Sequence, residues 1–199
     1  MKKLLLVLGP LSLLLFSYGP VAVVEDFSYM VSLDGRPIGT YKVNKTEING
    51  TSNFRVETNT TAGLIRPTDH KFVMQSSFDN SKLVASDMKL WVDNELESSA
   101  VIQWDGNQYV KQNGDELTKI WNESVTYSSA CVYFEEPVGR STFFYEKYGK
   151  DLEVSDLGNH TYEVKLPSGG IERYTYSKGE VVKVEFVKSF ATITLSVTS

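Results

Sequence analysis

Three glutamates, Glu135, Glu136 and Glu146, come nearest to a catalytic spacing in this sequence. Glycoside hydrolysis needs two carboxyls about 5 to 9 Å apart across a cleft, one of them kept protonated by burial. Adjacent residues on a strand point to opposite faces, so Glu135 and Glu136 cannot both face one substrate. Glu146 is expected on the exposed side of a short helix, which makes all three solvated carboxylates. The two histidines, His70 and His160, stand apart in β-rich surroundings, whereas a zinc site needs three or four convergent ligands. No serine sits in a Gly-x-Ser-x-Gly elbow, and Gly169-Gly170 is followed by a strand-like run rather than the helix a phosphate loop requires. Cys131 lies in Ser129-Ala130-Cys131-Val132-Tyr133-Phe134 and reads as a small buried hydrophobe. No catalytic set, metal or cofactor is expected, and the chain reads as a non-enzyme.

The aromatic content has more to offer. There are eleven Tyr, ten Phe and three Trp, and several gather late in the chain. Aromatics favour strands and cross-strand packing in any case. Tyr133, Phe144, Tyr145, Tyr148, Tyr174 and Tyr176 are the candidates for lining a concave, partly apolar cleft that takes a lipid-like molecule.

The elements that must position them alternate with period two. Phe27, Tyr29, Val31 and Leu33 interleave with polar or flexible residues, as do Tyr162, Val164 and Leu166, and Ile193, Leu195 and Val197. Between such runs stand Asp34-Gly35, Asn49-Gly50, Asp105-Gly106, Asn113-Gly114 and Lys178-Gly179, with Asp79-Asn80 as a weaker signal. These are tight hairpin turns, so consecutive strands should pair antiparallel. The fold expected is all-β, a long antiparallel meander of ten to twelve strands curled into a half-barrel or open barrel. One short helix is expected near 141–148, capped by Ser141, stopped by Gly149, with Phe144, Tyr145 and Tyr148 on one face.

Lys2 and Lys3 precede an apolar run, the pattern of a secretory signal. Residues 1–24 are therefore expected to be a signal peptide and 25–199 a single β domain. The uncharged run Leu4 to Val24 is 21 residues long, so an uncleaved membrane anchor is the alternative. Either way the domain is exported, to a periplasmic or extracellular space. Without Lys2 and Lys3 the chain carries 18 basic against 25 acidic residues, a net charge of −7, which argues against nucleic acid as a partner. A single cysteine leaves stability to the core alone.

Three stretches carry a family likeness: Val31 to Gly39, Tyr133-Phe134-Glu135-Glu136-Pro137 on to Gly149, and Leu166-Pro167-Ser168-Gly169-Gly170 through Gly179. Together they resemble an uncharacterised family of exported proteins of Bacteroidetes-type bacteria, a domain of unknown function. The motif order is also loosely similar to periplasmic half-barrels of the lipoprotein-carrier kind. That second resemblance implies a curled sheet around an apolar cleft. The carriers' lid of several helices has no counterpart here, so lipoprotein transport does not follow.

The function expected is non-catalytic: binding of an apolar or amphipathic, lipid-like ligand in a concave β-sheet cleft. The alternative is a cell-envelope structural or protein-interaction module with an envelope protein as partner. A glycan-acting hydrolase is third. Contact with a membrane is expected only through an uncleaved leader.

Overall fold

The computed structural model of the chain describes residues 22–63, 66–121 and 123–198. Residues 1–21 of the leader expected over 1–24 lie outside the described residues, while Val23 and Val24 pair with Glu47 and Thr46 in the sheet.

Fourteen strands form one antiparallel sheet. In chain order they are β1 (Val23–Leu33), β2 (Arg36–Ile48), β3 (Thr51–Ala62), β4 (Thr68–Asp79), β5 (Lys82–Val92), β6 (Glu95–Trp104) and β7 (Tyr109–Asn113). There follow β8 (Glu116–Trp121), β9 (Thr142–Tyr145), β10 (Lys150–Gly158), β11 (Thr161–Lys165), β12 (Ile171–Ser177), β13 (Glu180–Lys188) and β14 (Ala191–Val197). Each strand pairs with its sequence neighbours except β8 with β9, and β1 also pairs with β14, so the two edges are β8 and β9. The sheet is open.

The expected turns explain most of this register. Asp34-Gly35, Asn49-Gly50 and Lys178-Gly179 have positive φ at both residues, the geometry of a two-residue type I′ loop. The Asp79-Asn80 turn is shifted by one, to Asn80-Ser81. Asp93-Asn94 and Asn159-His160 also turn with positive φ at both positions. Asp93-Asn94, lacking glycine, was not among the expected turns, and fourteen strands stand where ten to twelve were expected. The β1–β2 register shifts between Val31 and Ser32, where Ile38 of β2 is the extra residue, and Val31 and Ser32 are both buried.

The helix expected near 141–148 is absent, and the described residues hold no helix at all. Thr142–Tyr145 is β9, paired with β10. Thr-Phe-Phe-Tyr is a strongly β-favouring run, and both of its faces are covered. The Phe143 ring packs 5.9 Å from Tyr127 and the Phe144 ring 6.1 Å from Tyr109. Gly149 has φ +62°, as a helix stop would. Here it closes a turn instead, its N–H donating to the Tyr145 carbonyl at 2.9 Å.

Fourteen strands laid flat would span roughly 60 Å at the usual inter-strand spacing. The edges are nevertheless close. Lys111 on β7 donates from Nζ to the carbonyl of Lys147, beyond β9, at 2.7 Å. The sheet has therefore curled until its two ends face one another. Residues 123–141 connect those ends and run through the interior: Val125, Tyr127 and the whole stretch Ser128–Tyr133 are buried. The Val125 carbonyl accepts from Leu83 N–H at 2.9 Å, and the Ser129 N–H donates to Phe144 O at 2.8 Å.

Candidate functional site: an apolar cavity with a cationic mouth

The crossing segment fills only one end of the barrel-like sheet. Strand directions group Leu83, Tyr109, Tyr176 and the two rings Phe27 and Phe54 at that end, with the chain's 49–50, 80–81 and 178–179 turns. All of them meet the segment. Tyr109 Oη donates to Leu83 O and accepts from Val125 N, Tyr176 Oη donates to Val132 O at 2.7 Å, and Phe134 packs 5.6 and 5.5 Å from Phe27 and Phe54.

Toward the other end a cavity of about 540 Å³ remains. Its walls are Val31, Ile38, Phe72, Met74, Met88 and Leu90 on one side and Leu166, Phe186, Ile193 and Leu195 on the other. It reaches solvent where its lining includes the exposed residues Asn113, Lys147, Ser168 and Lys188, beside the 93–94, 146–149 and 166–170 turns.

Polar groups cluster at two places. Glu172, on β12, is buried and borders the cavity; it accepts hydrogen bonds from Tyr145 Oη at 2.5 Å and Tyr174 Oη at 2.6 Å. Nearby, Tyr41 Oη donates to Tyr133 Oη at 2.5 Å, joining β2 to the crossing segment. Burial raises the Glu172 carboxyl above its ordinary value, against the opposing pull of the two phenols. The same burial holds the phenols of Tyr133, Tyr145 and Tyr174 in their neutral, donating form.

The second cluster surrounds Glu146, which the sequence placed on an exposed helix face. It is fully buried. Its carboxyl accepts from the hydroxyls of Ser128 and Ser129, from Ser129 N–H at 3.1 Å and, at 3.4 Å, from Ser76 Oγ on β4. Ser76 in turn bonds Ser86 on β5 at 2.9 Å. With no helix to carry it outward, the Glu146 side chain follows the tight turn after β9 into the barrel. Both oxygens are engaged in holding the crossing segment, and Glu146 does not border the cavity.

Of the six aromatics expected to line a cleft, Tyr133, Tyr145 and Tyr174 do border the cavity. Phe144 is buried behind it against Tyr109, and Tyr176 is committed to the crossing segment and to the Tyr162 ring, 5.7 Å away. Tyr148 sits at the rim, its hydroxyl 3.2 Å from Ser168 Oγ. Glu172 was missed, although its alternation with Tyr174 and Tyr176 already put it on the inward face. Lys111 was missed likewise, two residues from the buried Tyr109.

The remaining candidates stay apart. Glu135 and Glu136 lie in a loop rather than on a strand, yet they do diverge: Glu135 meets Arg140 at 3.2 Å, and Glu136 accepts from Tyr162 Oη at 2.8 Å and meets His160 Nδ1 at 2.9 Å. His70 pairs across strands with Thr60 and Val92. No group of three or more His, Cys, Asp or Glu side chains among the described residues is placed to hold a metal. Cys131 is buried, and its surroundings push the thiol up to about 12.

Residues 29–198 match a domain of unknown function (DUF6134), and the chain belongs to that family. Among solved structures it is similar to a β-barrel-like protein of a domain of unknown function, DUF1849, from Brucella abortus. The two share 11% sequence identity with a TM-score of 0.50, over 91% of this chain and 96% of the other. That likeness bears on the fold alone. No curated protein matches the chain.

Proposed function

We propose that this DUF6134 protein is a non-catalytic container for an apolar or amphipathic small molecule, exported to an extracytoplasmic space by the leader read in residues 1–24. The observation that carries this reading is the cavity of about 540 Å³ between the crossing segment and the open end. Its volume falls within the roughly 300 to 1,000 Å³ of small-molecule sites, and like them it has apolar walls with a few convergent polar groups. A barrel that serves only as a scaffold fills its interior with side chains. Here the crossing segment fills one end and leaves the other empty, which favours a container over an envelope module whose partners meet only edges and loops.

Catalysis is not part of the reading. Both oxygens of Glu146 are engaged in holding the crossing segment, and Glu172 meets the cavity with two phenol donors and no second carboxyl beside it among its hydrogen-bond partners. The test is native mass spectrometry of the purified protein together with titration of the neutral apolar dye N-phenyl-1-naphthylamine. A co-purifying amphiphile and saturable dye fluorescence are expected. A protein that carries nothing and leaves the dye dark overturns the proposal.

A further inference from the structure

The cavity's mouth has the opposite charge to the protein. Over the whole chain 25 acidic residues outnumber 20 basic ones. Among the described residues, however, the charged groups that border the cavity are Lys89, Lys111, Lys147 and Lys188 against the single carboxyl of Glu172. Lys89 is paired with Asp87 at 3.0 Å. The other three have no carboxylate among the described residues within ion-pair distance.

Their placement follows from strand register. Lys111 shares the inward face of β7 with Tyr109 and pairs with Ile102, which is fully buried. Lys188 shares the inward face of β13 with Val184 and Phe186, and its stem would lie 3.6 Å from a Cβ placed on Gly170 at the rim. Lys147 is exposed on the turn after β9, and its carbonyl receives Lys111 Nζ. Three lysines thus line the end where the apolar walls reach water.

Resting on the container reading, we infer that the occupant is a single-chain amphiphile with an anionic head, a carboxylate or a phosphate monoester, held tail-inward with its head at Lys111, Lys147 and Lys188. The tail buries against Phe72, Met74, Met88, Leu90 and Phe186. A methylene is close in size to a water molecule's roughly 30 Å³ share of the liquid, so the cavity holds on the order of 18 such groups, one chain rather than two. Lys111 supports the assignment separately. Partial burial lowers its pKa, and its present partner is a neutral carbonyl, so an incoming anion would restore a full charge pair. The Glu172 carboxyl is turned to the Tyr145 and Tyr174 phenols, and burial raises its pKa against their pull and that of the nearby Lys147 charge.

Displacement of N-phenyl-1-naphthylamine from the full chain tests this, with hexadecanoic acid, monohexadecyl phosphate, hexadecanol and hexadecylamine as competitors below their aggregation limits. The acid and the phosphate are expected to compete at least tenfold better than the alcohol and the amine. Their relative strength identifies which anionic head is preferred, and inorganic phosphate alone should displace nothing. Lys111→Gln/Lys147→Gln/Lys188→Gln should lose the preference, so that all four compounds displace the dye it binds about equally. Should that variant misfold, raising salt on the wild type should shrink the preference, because the mouth is wet enough to be screened. Dye binding with equal competition by all four compounds, or a preference that ignores both the lysines and salt, overturns the anionic assignment while sparing the container. Absence of dye binding overturns both.

Discussion

Glu146, on the turn after β9, grips Ser129 of the crossing segment through both its backbone N–H, at 3.1 Å, and its hydroxyl. Ser128 joins from the residue before, and Ser76 ties the same carboxyl to the β4–β5 wall. The carboxyl is the knot that fixes the segment inside the sheet. Glu146→Ala leaves the Ser128 and Ser129 hydroxyls buried without their carboxylate acceptor, while the Ser129 N–H keeps the Phe144 carbonyl, and should cost about 3 kcal/mol in urea unfolding. Glu146→Gln keeps one acceptor oxygen and should cost less. A loss below about 0.5 kcal/mol for the alanine variant would mean that the segment is held by something else.

Glu172 makes stability depend on pH in a direction opposite to that of a surface carboxylate. Burial raises its pKa in the folded state, while the unfolded chain has the ordinary value of about 4.3. Between the two values the folded state binds more protons, so its stability falls as pH rises. The contribution is fully present below the unfolded value and gone once pH passes the folded one. Glu172→Gln cannot ionise and should gain on the wild type as pH goes from about 4 to about 8. Urea midpoints across that window provide the measurement, and a difference that stays flat would show that Glu172 ionises in the folded protein at its unfolded value.

Much of this architecture was legible because turn chemistry and alternation are local. Asn49-Gly50 announces its loop and Tyr29-Val31 its inward face without reference to the rest of the chain. What stayed hidden is non-local. Phe144-Tyr145-Tyr148 has helical spacing, and only pairing of β9 with Lys150–Glu153 decides for a strand. Ser128 and Ser129 look like loop residues until the curl of the sheet brings Glu146 to them from 17 or 18 positions away. The cavity needed both arms of the meander to meet, which no window of sequence records. Glu172 is the instructive exception, since its alternation with Tyr174 marked it as inward and its charge obscured the point.

Gly39 marks a close approach that only a missing side chain permits. A Cβ there would stand 2.0 Å from the Asn59 carbonyl oxygen and 2.7 Å from Thr60 Cα, backbone atoms of β3 with no freedom to swing away. It also pairs with Val31, next to the extra residue Ile38 where the β1–β2 register shifts. Gly39→Ala should therefore cost more than about 1 kcal/mol, although alanine elsewhere in a strand would be mildly favourable. Unchanged stability, measured by thermal unfolding, would mean that β2 and β3 are further apart than this.

Cys131 should be inert while the protein is folded. Its thiol is buried at the centre of the crossing segment and pushed up to about 12, so at pH 8 almost none of it is thiolate. Reaction with Ellman's reagent should be more than a hundredfold slower in buffer than in denaturant. A fast native reaction would show that the segment leaves the barrel readily.

Narrowing the cavity without touching its charged mouth separates the container from every reading in which partners meet only the outside. Ala100, on β6 opposite Met88, borders the cavity and is half-buried, so a larger side chain has empty space ahead of it rather than packed atoms. The usual overpacking cost of about 1 to 3 kcal/mol should therefore be largely avoided. Ala100→Trp should keep its melting temperature within a few degrees and lower the affinity for N-phenyl-1-naphthylamine at least tenfold. Val101→Trp, one residue along and on the opposite face of the same strand, adds the same ring outside and should change nothing. If the two variants bind the dye equally well, the dye does not enter the cavity and the container reading loses its support. If only Ala100→Trp fails while both stay folded, the ligand's place is inside the sheet, between the crossing segment and the lysines.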